Sequence, residues 1–247
     1  MIAPMFVLLK KEVSQFFSSI TGYIMVVLFL VTIGLFMWVF PGATNVLDSG
    51  YATLDTLFEL APWVFLFLVP AVTMRMFADE QKSGTMELLL TRPLTDMQIV
   101  LSKYLAAVVL ILLALLPTLV FYYSVVRLGN PVGNLDVGGT WGSYIGLFFL
   151  AAVYASLGIF ASSLTQNSIV AFLITVALAF FLYVGFDSIS TLPIFGNADT
   201  VLTKLGIQEH YQSISRGVID SRDIIYFISV IVIFLFFTRT VLQSRKW

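Results

Sequence analysis

Six long apolar runs, separated by polar stretches, constrain this chain more than any other feature. They cover residues 22–40, 57–74, 101–126, 141–164, 169–186 and 224–241. A helix needs about 20 mostly apolar residues to cross the hydrocarbon core of a bilayer, and all six runs qualify. They are continuous, not the ten-residue alternating strands of a membrane β-barrel. The fourth and fifth are separated only by Thr165-Gln166-Asn167-Ser168, enough for a tight turn between antiparallel helices.

Composition supports the same environment. The chain is 59% hydrophobic and 11% charged, whereas a soluble domain carries about 25% charged residues. The expectation is an all-α integral membrane protein in one transmembrane domain over residues 1–247. A net charge of −1 argues against a nucleic-acid surface, and zero cysteines exclude disulfides and thiolate metal sites. No metal site is expected, since the single histidine, His210, has no second histidine or cysteine to join it. No cleavable signal peptide is expected, because the first run is as long as a span and lacks a small-residue cleavage site after it.

Lysines and arginines set the orientation. With the N-terminus inside, nine are cytoplasmic (Lys10, Lys11, Arg75, Lys82, Arg92, Lys103, Arg239, Arg245, Lys246) and four external (Arg127, Lys204, Arg216, Arg222). The positive-inside rule therefore places both termini in the cytoplasm. In residues 1–20, Phe6, Leu9, Val13, Phe16, Phe17 and Ile20 recur at helical spacing, as in an amphipathic helix lying in the membrane interface. The alternative is a plain helical extension of the first span.

The few charges concentrate in one polar loop, 79–95, expected on the cytoplasmic side. After Arg75 the chain is expected to leave the membrane, and Ser83-Gly84-Thr85 offers a helix start with Glu87 in the first turn. The helix runs from Thr85 to Thr91 and stops before Pro93, which disfavours helical geometry at Arg92. Thr95-Asp96-Met97-Gln98 then reads as a capping box for a long helix into the third span, with Leu94 and Ile99 as the hydrophobic staple. Met86, Leu88, Leu89 and Leu90 either pack back on the interface or form a knob for a soluble partner.

The run Asp79-Glu80-x-x-Ser83-Gly84-Thr85-x-Glu87-Leu88-Leu89-x-Thr91-Arg92-Pro93 resembles the coupling-helix region of ABC-2 type transporter permeases. The six spans and the amphipathic N-terminal helix resemble that family too. A second stretch from His210 to Phe227, with Ala61-Pro62-Trp63 and 70–75, is similar to the gliding-motility-associated branch of Bacteroidetes; copper-site maturation permeases share part of the pattern. The resemblance implies a permease subunit in the bacterial inner (cytoplasmic) membrane, working with an ABC ATP-binding subunit. It also implies a second, larger membrane subunit or a second copy of the chain. Coupling to the ATPase would fall on Glu80, Ser83, Gly84, Thr85, Glu87, Leu89, Thr91 and Pro93. The segment 187–223 would form short external helices that close the outer mouth, with His210, Tyr211, Arg216, Gly217 and Asp220 in this gate-like region.

Two readings of the residues agree with that. No Gly-x-x-x-x-Gly-Lys-[Ser/Thr] phosphate loop occurs, so ATP and Mg belong on a partner subunit and the chain is not expected to be an enzyme. Residues 61–74, 104–126, 141–186 and 224–238 carry no charge, which disfavours an ion-coupled carrier. A non-transporting membrane scaffold for a motility or secretion apparatus is the rival reading. A small-residue stripe, Gly138, Gly142, Gly146, Ala151, Ala155 and Gly158, allows close helix packing within the chain or at a dimer interface. Pro62, Pro70 and Pro117 are expected to kink spans two and three. Asp220 reads as the cap of the last span, with Ile219 and Ile224 as its staple. Segment 187–223 is too long for a structureless connector and should hold short helices near 198–205 and 208–216.

Overall fold

The structure, a computed structural model, describes residues 3–90, 94–191 and 199–244. Within them every regular element is helical. In chain order these are α1 (Ala3–Phe17), α2 (Ile20–Trp38), α3 (Val46–Ser49), α4 (Asp55–Thr73), α5 (Arg75–Lys82), α6 (Thr85–Leu90), α7 (Asp96–Leu115) and α8 (Leu119–Leu128). They continue as α9 (Val137–Leu164), α10 (Ser168–Phe180), α11 (Phe186–Ser190), α12 (Asp199–Leu205), α13 (Ile207–Ser215) and α14 (Ser221–Ser244). A 3-10 turn, Leu116–Thr118, joins α7 to α8, and a π turn, Phe181–Gly185, joins α10 to α11.

Five rods are long and apolar enough to cross a membrane: Asp55–Lys82, Asp96–Leu128, Val137–Leu164, Ser168–Ser190 and Ser221–Ser244. α2 makes a sixth if it is taken together with α1, which it meets at a 66° bend. α1 is therefore no straight extension of the first span. Its residues Leu8 and Glu12 are buried, and it packs along α7.

Four of the long helices, α7, α9, α10 and α14, begin where side chains serve their unpaired first-turn amides. The capping box before α7 is formed, with Thr95 Oγ1 accepting from Gln98 N at 3.3 Å and Gln98 Oε1 from Thr95 N at 3.0 Å. Asp136 caps α9 through Gly139 N at 3.0 Å, Asn167 caps α10 through Ile169 N at 3.0 Å, and Asp220 accepts from Arg222 N at 2.9 Å before α14. Each such cap stabilises its helix by about 1 kcal/mol.

α9 is the axis of the bundle. It packs against α4, α5, α7, α10, α13 and α14, and residues 150–159 are buried without interruption. Small side chains let the neighbours approach: a Cβ on Gly158 would lie 1.9 Å from Thr73 Oγ1 of α4 and 3.3 Å from Thr175 Cγ2 of α10. The outward faces of α2, α10 and α14 expose Ile24, Val27, Leu173, Phe180, Val232 and Phe236, as lipid-facing helices do.

α9 also repairs the two irregularities next to prolines. Pro117 lies in the 3-10 turn, where Tyr144 Oη of α9 meets Thr118 Oγ1 at 3.1 Å and Thr118 O at 3.3 Å. Pro70 lies four residues before the interruption at Met74 between α4 and α5. Pro62, by contrast, sits inside α4 with no interruption of the helix. Because α5 continues the rod, residues 79–82 are helical and not the loop expected from their polarity. A rod of 28 residues is about 42 Å long at 1.5 Å per residue, whereas the hydrocarbon core is about 30 Å thick. The excess carries α5 beyond the apolar zone at the pole where the N-terminal helix lies.

Candidate functional site

At this N-terminal pole α1, α7 and α9 converge on α5. Ser162 of α9 is placed at the interruption, where the first amides of α5 have no intrahelical acceptor. Its Oγ accepts from Phe77 N at 2.9 Å and Ala78 N at 3.0 Å, and donates to Met74 O at 2.9 Å. One turn on, Gln81 Nε2 donates to Ser163 O at 2.9 Å. The broken rod is thus pinned to the central helix on both sides of the break. Ser162→Ala leaves Met74 O, Phe77 N and Ala78 N without this partner. An unsatisfied buried backbone group costs about 1–3 kcal/mol, so a loss of about 2 kcal/mol in urea unfolding in detergent is expected.

The opposite flank of α5 is held by charge. Lys103 of α7 is fully buried, and its Nζ donates to Glu12 Oε1 of α1 at 2.9 Å and to Met76 O at 2.6 Å. Glu80 Oε2 of α5 lies 3.0 Å from the same ammonium, which also sits 5.1 Å from the centre of the Phe77 ring. Lys11 closes the cluster at 3.3 Å from Glu80 Oε1 and 3.6 Å from Glu12 Oε1. Partial burial pulls the Lys11 ammonium down, but Glu12 and Glu80 outweigh it and hold its pKa above the ordinary lysine value. A buried lysine is costly unless paired; here two carboxylates, a carbonyl and an aromatic face supply its shell. One residue from each of α1, α5 and α7 is thereby drawn to a single point.

Beyond the clamp the rod turns. Ser83 ends α5, its hydroxyl donating to Asp79 O at 2.8 Å, and Gly84 follows at φ +71°, a conformation that favours glycine. Ser83-Gly84 is thus the end of one helix as well as the approach to the next. α6 then starts at Thr85 with exposed Glu87 in its first turn; Met86 is buried, and Leu89 packs against the core. Thr91 and Pro93 lie outside the described residues, as does the stop expected before Pro93. Between α1 and this corner is a cavity of about 370 Å³, lined among others by Gln15, Arg75, Asp79, Ser83 and Thr85. Of the expected coupling residues, Glu80, Ser83, Thr85 and Leu89 line one groove, Gly84 lies between two of them in the chain, and Glu87 is exposed.

The small-residue stripe and the gate-like residues meet each other at the opposite pole. A Cβ on Gly142 would lie 2.6 Å from Ile214 O, and one on Gly146 would lie 3.3 Å from the Tyr211 ring. Gly217, at φ +84°, approaches Gly138 and Gly139 so closely that a Cβ would lie 2.9 Å from Gly139 N. Ala151 and Ala155 are buried further along α9. Gly138 to Gly158 therefore face the chain's own α4 and α13 wherever these contacts are made. Tyr211 is buried and donates to Phe58 O at 2.7 Å; burial holds its hydroxyl well above the ordinary tyrosine pKa. Arg216 is exposed at the end of α13, and Asp220 caps α14. His210 is not a free surface residue. Its Nδ1 lies 2.6 Å from Asp223 Oδ1 and its Nε2 2.9 Å from Lys204 O.

Ser162 continues the small-residue stripe in the sequence, whereas Glu12, Lys103 and Asp223 do not stand out as site residues. One signal was available for Lys103, a lone charge inside an otherwise apolar run, which demands a partner.

Five apolar rods, a bent α1–α2 pair that makes a sixth if it is one span, and a broken rod projecting at one pole mark a multi-pass helical membrane protein. The chain matches the sequence model of the ABC-2 family transporter proteins over residues 6–215, and it belongs to that family. No curated protein matches it. It is a membrane permease component, and membership implies an ABC ATP-binding subunit as its partner.

Proposed function

We propose that the α5–α6 corner is where this permease takes up the motion of its ATP-binding subunit, and that the N-terminal pole faces the cytoplasm of a bacterial inner membrane. The observation that carries this reading is the fixation of α5. It is held to α9 by Ser162 and Gln81, and to α7 and α1 by Lys103, Glu12 and Glu80. A push on α6 therefore reaches the central helix and the third span without passing through a flexible loop. A membrane anchor with no moving cargo has no need of a projecting helix so braced. ATP and Mg stay on the partner in this scheme, and the chain supplies the lever and the pathway. The similarity of 210–227 to the gliding-motility branch supports a role in that apparatus, beside a second, larger membrane subunit.

The test is the ATPase activity and subunit retention of the co-purified complex. Glu87 is exposed and takes no part in the clamp, so Glu87→Arg leaves the fold intact while reversing that charge. Loss of a central interface contact costs about 2 kcal/mol or more, so retention of the ATPase subunit is expected to weaken about 30-fold. Full retention together with unchanged coupled turnover would sink the assignment.

A further inference from the structure

We propose that His210 is a proton-operated latch that ties α12 to α13 and α14 at the pole opposite the coupling corner. Its ring bridges three elements: Nδ1 faces the Asp223 carboxylate at 2.6 Å, and Nε2 faces the Lys204 carbonyl at 2.9 Å. The ring stacks on Tyr226 with centroids 3.9 Å apart and 20° between planes. A carbonyl oxygen only accepts, so Nε2 carries a hydrogen. A second proton must lie between Nδ1 and Oδ1, because two unprotonated acceptors at that separation repel. Whether that proton sits on nitrogen or oxygen, the closed latch holds two protons.

Removing one proton leaves one hydrogen for two acceptors. The carboxylate, as the charged acceptor, makes the stronger hydrogen bond, so Nδ1 keeps the proton and the Lys204 carbonyl is released. The sign follows: closure is favoured at low pH and lost as pH rises. Imidazole is the side chain whose ordinary titration falls in the range of about pH 5–8. The other ionisable groups on the surrounding elements do not replace the lost proton. Tyr226 Oη is committed to Leu205 O at 2.6 Å, Lys204 and Arg222 are exposed, and Glu209 on α13 itself points to solvent. α13 stays fixed throughout by Tyr211 to α4 and by its close approach to α9, and Tyr226 still holds Leu205 O, so the motion is a swing of α12 about that end.

The helix that carries the latch also forms one wall of a cavity. Gln208, Tyr211 and Gln212 of α13, with Arg216 just after it, face Glu59 and Trp63 of α4 across a space of about 550 Å³.

The chain has no cysteine, so spin labels can be placed on Val201→Cys of α12 and Gln212→Cys of α13, both exposed. A control pair on Gln212→Cys and Ile225→Cys spans α13 and α14. Distances are read in reconstituted protein from about pH 5 to about pH 8. The α12–α13 distribution is expected to gain a longer component as pH rises, its population ratio growing by up to about tenfold per pH unit for loss of one proton. The control pair is expected to stay unchanged. In Asp223→Asn the amide donates to Nδ1 and leaves the Nε2 hydrogen for Lys204, so the short distance should persist at every pH. In His210→Gln the distribution should no longer respond to pH. An α12–α13 distribution identical at both ends of the range, or a response that survives in His210→Gln, overturns the proposal.

Discussion

Lys103→Met is expected to destabilise the protein by about 3–5 kcal/mol, the range found when one partner of a buried ion pair is removed. The side chain is fully buried, and its ammonium is shared by Glu12, Glu80 and the Met76 carbonyl. Methionine fills a similar volume, so the loss is electrostatic. Two carboxylates and a backbone oxygen then face one another with the exposed Lys11 as the nearest cation. The check is urea unfolding of the purified protein in detergent, run as a double-mutant cycle. Adding Glu12→Gln to Lys103→Met should restore about half of the loss, because one stranded charge disappears. If the single variant unfolds like the parent, the cluster holds nothing together. The same variant also tests the lever: with α1 and α5 no longer drawn to one point, ATPase turnover should uncouple before the complex dissociates.

Gly158→Ala should cost about 3 kcal/mol, at the upper end of the overpacking range. The sign is the informative part. In an open helix, Gly to Ala gains about 1 kcal/mol, but here the new methyl would lie 1.9 Å from Thr73 Oγ1 and 2.7 Å from Thr73 Cβ. Thr73 cannot swing aside at no cost, because its hydroxyl donates to Val69 O at 2.9 Å in the turn before the helix interruption. α4 and α9 must separate, and Ser162, one turn along, would be pulled off the amides it serves. Thr73→Gly in the same background should recover most of the stability, whereas Thr73→Ser should not. Thermal unfolding monitored by size-exclusion chromatography distinguishes them. A Gly158→Ala protein as stable as the parent would show that the two helices have room to spare.

Some of this architecture was legible in the residues, and the reason is range. The spans are continuous apolar runs, and the caps at Thr95 and Asp220 are decided within three residues, so both were read before any fold was known. The same holds for the helices at Asp199–Leu205 and Ile207–Ser215, where length alone demanded order. α5 was misread as a loop because its polarity was judged against the bilayer. Its Asp79 and Glu80 are helical residues beyond the apolar zone, and Glu80 belongs to an ion cluster. Nothing local in the sequence announces that Asp223 and Lys204 O stand on either side of the His210 ring.

The sequence by itself determined the environment, the five apolar rods and the run that ends in α2, and the polar character of the α5–α6 corner. These are properties of composition and of neighbours a turn apart. Only the tertiary structure decided how that corner is attached. Lys103 and Glu12 are 91 residues apart in the chain, and Ser162 and Phe77 are 85 apart. Their meeting depends on which faces of α1, α5, α7 and α9 turn inward. Packing sets those faces, because a buried lysine and the unpaired amides at a helix break are tolerated only where distant side chains arrive to satisfy them.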